Sequence, residues 1–208
     1  MRNHNPSSLH YSLSYSNQDY SVPYYTQQSP PDSSTFSFCT FNCKSSSAGG
    51  AIYFAGSSSS LSIEDSTFYQ CTITAGNGGA VCGYRCGTLL IERSLFIECL
   101  SPLYGSGGGM FIECASEIPQ SVDNSFHMCT AGGDGGGLYL YTIAKQTNRE
   151  TLPIKDCKFV GCIAYGNVLD ERVNDADGGG LIFWGNAQTF GISNSLFSKC
   201  ESNLRAGG

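Results

Sequence analysis

The chain has 208 residues, with 13% charged, 40% apolar and 26 glycines, and its formal net charge is −6. Its eleven Lys and Arg residues are scattered singly, so nothing tracks a phosphate backbone and nucleic acid is not an expected partner. The apolar content sets the chain apart from a charge-rich disordered protein, and no run approaches the ~20 apolar residues of a membrane-spanning helix.

Residues 1–34 are rich in Ser, Tyr, Asn, Gln and Pro and show no periodicity. They are expected to form a disordered or capping tail, and no apolar secretory core is visible in MRNHNPSSLHYSLSYSNQDY. From residue 35 onward two landmarks recur. A glycine pair, then a small residue and an aliphatic one, stands at 49–52 (GGAI), 78–81 (GGAV), 107–110 (GGGM), 135–138 (GGGL) and 178–181 (GGGL), with a last pair at 207–208. First-glycine spacings are 29, 29, 28, 43 and 29. The second landmark is Phe-x-x-Cys: Phe68/Cys71, Phe96/Cys99, Phe126/Cys129, Phe159/Cys162 and Phe197/Cys200, with Phe41/Cys43 one residue short. Self-similarity at such a period marks a stacked-repeat protein.

After each glycine pair the apolar residues alternate. Ile52 and Phe54, Met110 and Ile112, Leu138 and Leu140, and Leu181 and Phe183 fall on one side; Tyr53, Phe111, Tyr139 and Ile182 fall between them. Period two means strand. A second alternating stretch (Leu61/Ile63, Leu89/Ile91, Ile154, Ile192) precedes the Phe-x-x-Cys units, which supply a third strand. The fold class expected is all-β: a right-handed parallel β-helix of about six coils, three short strands per coil, over residues 35–208 and continuing beyond them. Coils stack as parallel strands ~4.8 Å apart. Glycine turns the corner at φ > 0, while Phe and Cys point inward and stack on their equivalents.

These residues resemble a known family. GGA[IV] paired with F-x-x-N is the signature of chlamydial polymorphic membrane protein repeats, which are pectin-lyase-like right-handed β-helices; large repetitive surface proteins of protists are similar. Here Cys stands where that family has Asn. The resemblance covers residues 36–208 and implies a surface-exposed, adhesive module.

The cysteines number eleven, so at least one has no partner within the chain. Cys43, Cys71, Cys99, Cys129, Cys162 and Cys200 should form one column, expected reduced and buried because in-register strands aim side chains the same way; bridging is the alternative. Cys82 and Cys86, in CGYRC, are read as surface cysteines, free or bridged locally, with Cys114 in the corresponding region one coil later. Zinc would need further ligands that the sequence does not place nearby.

The outward positions of the strand after each glycine pair carry Tyr53, Tyr84, Phe111, Tyr139, Tyr141, Ile182 and Trp184. An aromatic stripe of this kind stacks on sugar rings, receives another protein, or simply reflects β-propensity beneath covering loops. Two insertions, 142–153 and 164–177, should emerge at opposite edges of this face around coils four and five. The second carries Asp170, Glu171, Asp175 and Asp177, read as a solvated loop in preference to a calcium site. Polar residues before each Phe (Asp65, Arg93, Asp123, Asp156, Asn194) are expected to bond backbone groups at a turn. Asp65 and Asp123 make one carboxylate pair, and of three histidines His4 and His10 lie in the tail and His127 beside Phe126. No cofactor or metal is expected. The functional expectation is a structural or adhesive module of an extracellular or cell-surface protein, contacting glycans or another surface protein and able to associate end to end. A carbohydrate-active member of the superfamily and a ligand-free spacer are the alternatives.

Overall fold

The structure is a computed structural model that describes residues 12–21, 24–26, 33–56, 60–102, 104–114, 120–142, 154–166, 177–185 and 191–202. Its strands form four ladders in which every pairing is parallel and joins one coil to the next. Sheet I contains seven strands, among them Ser33–Ser37, Ser60–Glu64 and Thr88–Glu92; sheet II, also seven, includes Thr67–Tyr69, Leu95–Ile97 and Ser125–His127. Sheet III is six two-residue strands such as Thr72–Ile73 and Leu100–Ser101. Sheet IV is six strands, including Ile52–Ala55, Val81–Cys86, Met110–Cys114, Leu138–Thr142 and Leu181–Gly185.

The parallel β-helix is therefore as expected, but each complete coil has four segments where three were expected. Phe-x-x-Cys is not one strand. Its third residue takes a left-handed conformation (Gln70 φ 52°, Glu98 φ 52°, Met128 φ 50°, Gly161 φ 63°, Lys199 φ 53°). That turn ends sheet II and starts the short strand of sheet III. A second left-handed turn, at Asp65, Arg93, Asp123, Asp156 and Asn194, separates sheets I and II.

The third turn is the glycine pair. Its first member has positive φ (Gly49 71°, Gly78 72°, Gly107 70°, Gly135 63°, Gly178 59°), as a tight corner requires. Its second member is small for another reason: a Cβ on Gly79 would lie 2.1 Å from the Gly108 carbonyl oxygen. Successive corners touch backbone to backbone, with the Gly79 N–H donating to Gly107 O at 3.0 Å. The third position is also small, because a Cβ on Gly137 would meet the Phe159 ring at 2.9 Å.

Inside the coil Phe41, Phe68, Phe96, Phe126, Phe159 and Phe197 form one file of stacked rings, 4.6–4.8 Å between centroids. The cysteine thiols follow in step. Cys71 donates to Phe41 O at 3.4 Å, Cys99 to Phe68 O at 3.6 Å and Cys129 to Phe96 O at 3.5 Å. A third inner file is polar. The backbone N–H of Ser66 donates to Ser94 Oγ at 3.2 Å, and that of Ser94 to Asn124 Oδ1 at 2.8 Å. Side-chain bonding to the backbone at this turn thus comes from the residue after each left-handed position, where the left-handed residue itself was expected to supply it. The left-handed residues themselves bond to one another outside: Arg93 grips Asp65 with two contacts of 2.9 and 3.0 Å, and Asn194 donates to Asp156 at 2.7 Å.

The coil also starts earlier than residue 35. Ser12–Ser16, Asp19–Tyr20 and Tyr24–Thr26 pair in parallel with Ser33–Ser37, Thr40–Phe41 and Ile52–Ala55. Tyr20 stacks on Phe41 at 4.7 Å and Tyr15 on Phe36 at 4.9 Å. Tyrosine thus continues the phenylalanine files, and this part of the expected tail is a coil.

Candidate functional site

Sheet IV builds the most distinctive surface. Alternation turns Ile52, Phe54, Val81, Met110, Ile112, Leu138 and Leu140 inward, all buried. Two files are left outside. One runs Tyr53–Cys82–Phe111–Tyr139–Ile182 and the other Ala55–Tyr84–Glu113–Tyr141–Trp184, by in-register pairing of each strand with the next. Because the strands are in register, these side chains stand at the spacing of the coils on a backbone they do not have to order.

Phe111, Glu113, Tyr139, Tyr141 and Trp184 together surround a surface hollow of about 360 Å³. Trp184 is the most open of them at 63% exposure. Phe111, expected to face solvent, is instead buried, because its ring stacks on Tyr139 with centroids 4.9 Å apart and 14° between planes. Burial, ahead of the nearby Asp134 carboxylate, raises the Tyr139 phenol, so it remains a donor well into the alkaline range. Tyr53 and Tyr84 lie on the same face but outside the hollow, and burial likewise raises Tyr53.

Glu113 is the residue that the sequence reading passed over. The alternation in MFIEC puts it on the same side as Phe111, but a single carboxylate does not stand out in a stripe otherwise marked by aromatic side chains. Its side chain is 17% exposed and meets Arg85 at 3.4 Å; the Arg85 guanidinium also lies 5.2 Å from the Tyr84 ring centroid. The hollow therefore offers ring faces, a phenol donor and a carboxylate acceptor. That combination is chemically suited to the apolar face and hydroxyl edge of a ring-shaped polar ligand.

Other expected sites are placed differently. Cys82 and Cys86 are buried, not on the surface. Cys82 sits in the outer file between Tyr53 and Phe111, whose larger side chains flank it, and burial raises its thiol pKa. Cys86 is turned into the interior, where its sulfur lies 3.1 Å from that of Cys114. The carboxylates Asp65 and Asp123 are separated by the intervening coil, and Arg93 of that coil engages Asp65. Arg93 and Asp123 help line a second, ionic hollow of about 530 Å³ at the turn between sheets I and II. His127 is half-buried in its sheet II strand. No group of three or more His, Cys, Asp or Glu residues able to hold a metal ion occurs among the described residues. Asp170, Glu171, Asp175, His4, His10 and most of both insertions lie outside the described residues; Asp177 donates its N–H to Asp134 Oδ1 at 3.0 Å.

With the ladders in view, comparison by sequence is decisive for the family. The family model described as the right-handed beta helix region matches residues 3–197. The chain belongs to that family. The match gives the β-helix its hand and includes residues 12–26, which the structure also places in the coil. No curated protein and no solved structure gives a significant match.

Proposed function

We propose that this β-helix is a non-catalytic binding module of an extracellular or cell-surface protein, adhesive in role, and that it holds a glycan against the outer face of sheet IV. The observation that carries the reading is the hollow in which Trp184, Tyr141, Tyr139 and Phe111 meet one carboxylate, Glu113. Flat aromatic faces stack on the C–H face of a pyranose, and a carboxylate accepts hydrogen bonds from neighbouring hydroxyls. An acidic polysaccharide would bring its own carboxylate against Glu113, so neutral glycans are favoured. Arg85 pairs with Glu113 at 3.4 Å and is not among the residues lining the hollow.

Glycoside hydrolysis generally uses two carboxylates flanking the scissile bond. Among the described residues lining this hollow, Glu113 is the one carboxylate, which supports binding over turnover. The GGA[IV] corner shared with chlamydial surface repeats supports the surface location. A glycan array combined with reducing-sugar and unsaturated-product assays tests the proposal. Binding of neutral glycans without turnover agrees with it; release of reducing ends or unsaturated products would assign the chain to the polysaccharide-processing members instead.

A further inference from the structure

We propose that Cys86 and Cys114 form a disulfide that staples one coil to the next. The two sulfurs are 3.1 Å apart inside the coil, closer than any thiol of the inner column lies to its carbonyl acceptor on the preceding coil, where the separations for Cys43, Cys71, Cys99, Cys129, Cys162 and Cys200 are 3.3–3.6 Å.

Three local features bring the sulfurs together. Parallel in-register neighbours usually aim side chains the same way, but the register shifts between Tyr84 and Cys86 as sheet IV passes from Val81–Cys86 to Met110–Cys114. Arg85 occupies this bulge in a left-handed conformation, φ 50°, and re-aims Cys86 inward. Gly83, at the inward position that Phe54 and Ile112 fill on the neighbouring strands, leaves room: a Cβ there would lie 3.2 Å from Cys86 Sγ. Adjacent parallel strands ~4.8 Å apart also fall within the Cα range that a disulfide spans. The closed loop is one whole coil, residues 86–114, and it anchors the strand that presents Phe111 and Glu113. The bridge stands independently of what that face binds.

Formation needs an oxidant, and the class proposed is a low-molecular-weight disulfide such as oxidised glutathione. One thiolate attacks a sulfur of the small disulfide and displaces a thiolate, giving a mixed disulfide. The second cysteine then attacks the protein sulfur and releases the other small thiolate. Two electrons and two protons leave the cysteine pair, and two small thiols are formed. Both cysteines are buried, so exchange takes place before this coil closes during folding.

The experiment is to unfold the full chain under reducing conditions and refold it with reduced and oxidised glutathione. Remaining thiols are then alkylated in denaturant, and peptides are mapped without reduction. Of the eleven cysteines, the nine other than Cys86 and Cys114 should be alkylated, and the Cys86 and Cys114 peptides should be linked. The link should persist in Cys82→Ala, whose thiol points outward. Eleven alkylated cysteines, a dominant pair drawn from the inner column, or loss of the link in Cys82→Ala would overturn the proposal.

Discussion

The rings of Phe68 and Phe96 lie face to face one coil apart, 4.7 Å between centroids and 2° between planes. Each ring in the middle of the file has such a neighbour on both sides and is wholly buried. Removing one leaves a cavity between two flat surfaces held apart by the strand ladder, which cannot collapse into it. Phe96→Ala is therefore expected to cost ~3–5 kcal/mol, and Phe96→Leu distinctly less. Urea unfolding followed by circular dichroism gives both values.

Two glycines separate a steric requirement from a conformational one. Gly79→Ala would drive its Cβ to 2.1 Å from Gly108 O, with the Leu100 backbone at 2.6 Å, and none of these atoms can turn aside. Gly161→Ala meets nothing nearer than Met128 Cγ at 3.5 Å and carries only the left-handed penalty, ~1–2 kcal/mol. The first variant should fail to accumulate as folded protein, and the second should melt a few degrees low. Thermal melts of the two side by side check this.

The repeat was legible because each coil must fill one cross-section, so Gly78/Gly79 and Phe96/Cys99 return in step. The fourth sheet was not, since strands such as Thr72–Ile73 are too short to show alternation. The first coil was hidden because Tyr15 and Tyr20 stand where later coils have phenylalanine, and its polar composition reads as a tail. At the candidate site the outward positions of Tyr139, Tyr141 and Trp184 followed directly from period two. The burial of Phe111 did not, because it arises from stacking on the next coil. Nor did the inward turn of Cys86, which depends on a bulge at Arg85 that no alternation announces.

Alkaline pH should loosen the coil through the Cys43 thiol. Burial, with the neighbouring Cys71 thiol next, pushes the Cys43 thiol from an ordinary value of 9.0 up to about 12. A raised native value means that the unfolded chain releases its proton first. The stabilisation is full below pH ~9 and disappears as pH climbs towards ~12. Urea midpoints at pH 8, 10 and 11.5 should fall in that order, and a flat series would show that Cys43 ionises freely in the native coil.

On the outer face, stability and binding should separate. Trp184 is 63% exposed, so Trp184→Ala removes little buried area and the melting temperature should change little. Tyr141→Ala should behave similarly. Each is expected to weaken glycan affinity ~10-fold or more, about 1.4 kcal/mol. Tyr53→Ala, on the same face but away from the hollow, should leave affinity unchanged. Isothermal titration against a glycan from the array measures all three.

Trp184 is the one tryptophan of the chain and stands in the hollow, so its fluorescence reports on that surface alone. The most direct measurement is a titration of the refolded protein with a panel of neutral and acidic oligosaccharides, reading Trp184 emission. The account predicts a saturable change with at least one neutral oligosaccharide and a weaker response to acidic ones. An emission spectrum unmoved across the whole panel, in a protein whose circular dichroism shows the coil intact, would contradict it.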